Sequence, residues 1–137
     1  MSGTPAPMTV FDVARQAMSA QLVRMNAAAS NLANAGTVAG SEAEAYRPLR
    51  AVFAAEVDRA SGLATVNVSA VARSNATPLL QHDPDNPLAN ADGNVWAAPV
   101  DENAEMIEMT ESARQYQNVV EALQTAKQLM LDTLRMK

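Results

Sequence analysis

Side chains able to do chemistry are few in this chain and mostly isolated. The densest group is His82, Asp83, Asp85, Asp92 and Asn94. A calcium loop opening at Asp83 needs Gly at its sixth position and Glu at its twelfth, where Leu88 and Asn94 stand, and Pro84 and Pro87 interrupt the run. A lone His among turn-forming residues is more simply solvated than metal-ligating. Serines occur, but none lies in a nucleophile elbow or at a diagnostic spacing from His82. Gly36-Thr37-Val38-Ala39-Gly40 lacks the Gly-Lys-Ser/Thr that would complete a phosphate loop. Glu102, Glu105, Glu108 and Glu111 could be called a carboxylate face, yet compensation of a helix dipole explains them more cheaply. The residues therefore predict no catalytic group, cofactor, metal or small-molecule substrate.

The elements that carry these residues say more. No Gly or Pro falls between Met8 and Ala35, and none follows Pro99. Thr9 with Asp12 forms a capping-box variant, and Met8 and Val13 can make a hydrophobic staple. Phe11, Met18, Met25 and Leu32 then recur every seven residues, the spacing of a helix packed on another helix. Ala14, Gln21, Ala28 and Ala35 take the alternate position, and Gly36 is expected as a left-handed stop. An ordinary amphipathic helix packed on its own domain would read the same way.

At the other end Asp101 can cap a second helix, acidic at its start and carrying Lys127, Arg135 and Lys137 toward its end. Its seam reads Met106, Met109, Ala113, Tyr116, Val120, Leu123, Met130 and Leu134, with a second flank of Ile107, Val119, Ala126 and Leu129. That stripe is broad enough to touch more than one neighbour. Between the helices, Arg47–Ala54, Leu63–Val71 and Val95–Ala97 read as strand segments, Asp92-Gly93-Asn94 as a turn, and 82–87 as a loop. Trp96 is the expected anchor of that region. The expectation is a mainly α fold: two long terminal helices in a coiled-coil-like hairpin (1–36 and 101–137) around a small β/loop-rich middle insertion (37–100).

Composition limits what such a hairpin can do alone. Hydrophobic residues make up 48%, but 28 of them are Ala, and aromatics are only 4%. At roughly 25 cal/mol per Å² buried, so small a set of large side chains makes a marginal monomer completed by neighbours. A net charge of -5 leaves no basic stripe for nucleic acid. No run approaches a membrane span, so no membrane insertion is expected. The start, from Met1 through Pro7, lacks the charged and apolar regions of a cleaved signal. There is no Cys, so disulfides are excluded.

Particular residues add to the pattern. Ala29-Ser30-Asn31-Leu32-Ala33-Asn34-Ala35-Gly36-Thr37, followed by Tyr46-Arg47, resembles the N-terminal motif of the bacterial flagellar rod and hook axial proteins. Glu105–Met109, Ser112–Asn118 and the continuation through Leu131 resemble the matching C-terminal signature, and the length of the middle is similar to the short proximal-rod members. Gly36 stands where that family commonly has Asn, and Val38–Ala45 replaces its usual Pro-Gly turn.

The resemblance implies a non-enzymatic subunit of the basal-body rod, exported through the flagellum's own channel without signal cleavage. It implies partners among other rod proteins, proximal basal-body components and further copies of itself. In that setting Phe11, Met18, Met25, Leu32, Met106, Met109, Tyr116, Val120, Leu123, Met130 and Leu134 are expected to pair the helices. Ile107, Val119, Ala126 and Leu129 are expected to meet adjacent subunits. Asn31 and Asn34 are open between exposed polar residues and hydrogen-bonding contacts to a neighbouring chain. The rival from another class is a cytoplasmic helical adaptor or chaperone with similar seams; a small hydrolase using His82 is a remote third.

Overall fold

A computed structural model describes residues 6–136. Met1–Pro5, where the lack of signal features was read, and Lys137 lie outside the described residues. In chain order the elements are α1 (Val10–Ala33), β1 (Val38–Ala39), β2 (Leu49–Val57), β3 (Ala64–Arg73), β4 (Leu79–His82), β5 (Asn94–Ala97) and α2 (Glu102–Arg135).

The α1 helix begins as its residues require. Thr9 Oγ1 accepts from the Asp12 amide at 3.2 Å, and the Thr9 amide donates to Asp12 Oδ2 at 3.0 Å, so two otherwise unpaired donors are satisfied. The stop differs from expectation. Gly36 is not left-handed; the glycines at positive φ are Gly62 and Gly93. Asn34 ends the helix instead, its amide reaching Ser30 and Asn31 carbonyls and its Nδ2 donating to Ser30 O at 2.8 Å. An amide side chain able to bond the last carbonyls makes a left-handed Gly unnecessary. Asp101 caps α2, its carboxylate accepting from the Ala104 amide at 3.2 Å.

The mainly α class does not hold. With 44% helix and 22% strand in two antiparallel sheets, the chain is a mixed α and β fold. The nine residues of β2 and ten of β3 pair along their whole length, with a bulge between Val52 and Phe53. Their Val, Thr and Phe content suits a pleated surface. Both strands run further than the segments read from sequence. The second sheet has the order β1-β5-β4. Its β1 and β4 were not foreseen, because two- and four-residue strands are too short to show a period.

Three ties lay the β2–β3 hairpin along the length of α1. At the tip, the Met8 amide donates to Asp58 Oδ2 at 2.9 Å. Midway, Thr65 Oγ1 donates to Gln16 Oε1, and at the base Leu49 meets Asn31. On its other side α1 packs on α2. The β1-β5-β4 sheet joins the end of α1 to the start of α2, with the Ala98 amide donating to Thr37 O at 3.0 Å. Gly93 turns into β5 at φ +74°, and a Cβ there would fall 3.0 Å from the Cβ of Pro84.

What this arrangement buries is small. The apolar core is Ala20, Ala27, Ala28, Ala45, Val95, Ala97 and Ala98, while Trp96 is only half-buried. The largest side chains removed from water are Glu105, Val95, Asn31 and Ser112.

Candidate functional site: the helix seam and its polar latch

The helices run antiparallel. Asn31 Nδ2 donates to Glu105 Oε2 at 3.1 Å, Arg24 Nε donates to Glu108 Oε1 at 2.7 Å, and one shallow groove joins Val13 and Ala17 to Val119 and Ala122. Burial along α2 is complete at Glu105 and Ser112, and with Ala113 and Val120 half-buried beside it the line runs Glu105, Met109, Ser112, Tyr116, Val119, Leu123 and Ala126. These alternate by four and three residues, as a seam does. That line passes through Glu105 in place of exposed Met106 and takes in Ser112 beside Ala113. Glu105 and Ser112 occupy seam positions because each is satisfied there. Ser112 Oγ donates to Glu108 O on its own helix at 2.7 Å, and Glu105 enters a network.

That network converges on Asn31, which has no exposed surface. Its Nδ2 donates to Leu49 O at 3.0 Å and to Glu105 Oε2; its Oδ1 accepts from the Leu49 amide at 2.7 Å and from Tyr46 OH at 2.8 Å. All four of its hydrogen-bonding positions are used. Ser30 Oγ lies 3.0 Å from Tyr46 OH, and Arg50 pairs with the other oxygen of Glu105. A carboxylate 1% exposed is thus held by a guanidinium and an amide. The bond to Glu105 is the chief cause raising the Arg50 pKa, as that to Glu108 is for Arg24. Four segments meet here: the end of α1, the Tyr46 loop, the start of β2 and the start of α2.

The structure redistributes the expected site residues. Met18, Met25, Leu32, Met109, Tyr116, Val120 and Leu123 are half-buried, and Met25 lines a groove with Met109 and Ala113. Phe11 stays 36% exposed. Met106, Met130 and Leu134 are exposed, so they do not pair the helices within the chain. For Met106 the reason is the shifted register. For Met130 and Leu134 it is length: α2 has 34 residues against 24 in α1, so the seam runs on past Val10 with nothing opposite it among the described residues.

Of the expected neighbour contacts, Ile107 and Leu129 are exposed, at 66% and 62%. Val119 and Ala126 are half-buried, Val119 on the α1 side. Asn31 is fully buried, with its side-chain hydrogen bonds made inside its own chain. Asn34 is half-buried, with its Nδ2 engaged on its own helix end. Glu105, Arg50 and Tyr46 were missed as a unit. The available signal was a carboxylate at a position that a four-three seam reserves for burial. His82 Nδ1 lies 3.0 Å from Asn94 Oδ1 across the β4–β5 pair.

A hairpin that buries alanine and a polar latch, and leaves apolar patches bare at both ends of α2, has the build of a structural subunit in a larger assembly. Comparison with known proteins specifies which. Residues 11–39 match the family model described as flagella basal body rod protein, and residues 91–136 match the flagellar basal body rod FlgEFG protein C-terminal model. The flagellar basal-body rod protein FlgC of Salmonella typhimurium is 44% identical over 131 residues, covering 94% of this chain and 96% of that protein. FlgC of Escherichia coli O157:H7 gives the same 44% identity and the same coverage. FlgC of Agrobacterium fabrum is 27% identical over 89% of this chain and 88% of its own length. The chain belongs to the FlgC family of flagellar basal-body rod proteins. It is a structural subunit of the rod, located in the basal body; a cytoplasmic adaptor is not favoured.

Proposed function

We propose that the chain works as a non-enzymatic rod segment, whose paired terminal helices form the axial unit and whose unpaired ridge is covered by adjoining rod subunits. Head-to-tail interfaces of this kind extend into an open helical shaft, able to transmit torque and to enclose a channel. Its partners are other rod proteins, proximal basal-body components and further copies of itself. The observation that carries the reading is the bare apolar surface at the two ends of α2: Met106 and Ile107 at its start and Leu129, Met130 and Leu134 toward its end each stand more than half exposed. The alanine core fits passage through a narrow export channel, because little has to be unfolded.

Replacing exposed Leu129 by Asp tests the reading. The isolated chain should keep its stability within about 0.5 kcal/mol, as surface changes do, while incorporation into basal bodies and motility are lost. Leu123→Asp, on the paired face, should reduce both. Normal swimming in the Leu129→Asp strain would remove the proposal's support.

A further inference from the structure

The apolar seam between α1 and α2 is degenerate by one heptad. From the pair Asn31–Glu105, four-three spacing along antiparallel helices sets Ala27 against Met109, Arg24 against Ser112 and, at the far end, Val10 against Ala126. Arg24 accordingly reaches Glu108 and Gln115, which flank Ser112. When α1 slides one heptad toward the end of α2, most of the α2 residues it faces are unchanged. Met130 takes the place of Met109, and Thr133 that of Glu105. The lengths permit the slide, with 34 residues in α2 against 24 in α1. Apolar content does not choose between the two registers, because one Met is exchanged for another.

The polar pairs do choose. In the slid register Asn31 meets Ser112, whose hydroxyl already donates to Glu108 O. Arg24 keeps Gln115 and loses Glu108. Arg50 loses Glu105 as well, because the β2–β3 hairpin travels with α1 through its ties at Leu49, Thr65 and Asp58. A polar residue at one seam position fixes register at a cost in stability.

We propose that Asn31, Glu105 and Arg50, together with Arg24 and Glu108, form the register key of this helical hairpin. They are positioning residues: they hold α1 against the opening turns and middle of α2, and so leave the turns from Lys127 onward overhanging. The competing restraint is the β1–β5 pairing, in which β1 has two residues. That pairing moves with α1 if the opening turns of α2 unwind, so it does not forbid the slide. The proposal draws on the rod-subunit reading only for the use made of the overhang, since register is a property of the single chain.

The test uses the full chain, which has no Cys of its own, carrying spin labels on exposed Ser19 and Thr110 and, in a second sample, on Ser19 and exposed Asp132. A slide of one heptad changes the axial separation of each pair by roughly 10 Å, lengthening the first and shortening the second. Fraying or unfolding does not move the two in opposite directions. Transplanting both acids one heptad along, as E105A/E108A/S112E/Q115E, should convert the chain to the slid distances. Removing them, as E105A/E108A, should give both sets of distances in one sample, where the unaltered chain gives one. Native distances alone in both variants would overturn the proposal and assign the register to the β1–β5 tie. Loss of helical circular dichroism in both would also overturn it, because the latch would then hold the fold and not its register. Absence of the unaltered chain from basal bodies would leave these distances as they are and count against the rod-subunit reading instead.

Discussion

At the scale of single residues, Asn31 has the most to lose. Replacing it by Ala leaves a buried carboxylate oxygen, a backbone amide and carbonyl, and the Tyr46 hydroxyl short of partners together. Unfolding by urea should show a loss of about 3 kcal/mol, since stranded buried groups cost about 1–3 kcal/mol each and some will find water. Asn34→Ala, which removes one helix-end bond, should cost under about 1 kcal/mol by the same measurement. Thr9 is a second point of leverage. Thr9→Ala should cost about 1 kcal/mol, and the cap carries a pH signature. Hydrogen bonds from the Thr9 amide and hydroxyl lower the pKa of Asp12, and those from Ser61 and the Met8 amide lower that of Asp58. A carboxyl depressed in the folded state contributes stability above its unfolded pKa, near 3.9, and loses it as pH falls through the folded value. Melting temperature should therefore drop on acidification below about pH 4, and less steeply in the Thr9→Ala chain.

At the scale of elements, the starts of both helices were legible because caps are local chemistry: Thr9, Asp12 and Asp101 do what their types dictate. The pairing of the helices was legible in outline and misplaced in register. Apolar Met106 drew the seam to itself, while Glu105 and Ser112 hold seam positions through partners distant in sequence or on the helix's own backbone. No local pattern announces that Arg50 and Asn31 will neutralise and bond a carboxylate at residue 105. The strands follow the same logic. β2 and β3 carry enough β-branched residues to be read, whereas β1 and β4 exist only because β5 lies between them. The β4–β5 connection gives the prediction that belongs here. Gly93→Ala forces a left-handed φ on a side-chain residue and pushes its Cβ against Pro84. It should lower stability by about 1–2 kcal/mol, and the loss should be read in chemical shifts of Leu79–His82 before those of α2.

At the scale of the whole molecule, the fold is a scaffold for apolar surface that it does not itself cover. Seven small apolar residues form the core, while Ile107, Leu129, Met130 and Leu134 stand out in solvent along one helix. On the reading proposed above, a chain with that balance gains little by folding alone and gains the rest when adjoining subunits arrive. The small core was legible in composition, since alanine fills the positions where Leu or Phe would make an independent core. The direct measurement is hydrogen exchange of backbone amides in α2, compared between the isolated chain and purified basal bodies, over peptides covering Lys127–Met136. The account predicts little protection in the isolated chain and strong protection in the assembled rod. Equal, strong protection in both would mean that the helix needs no neighbours, and would contradict it.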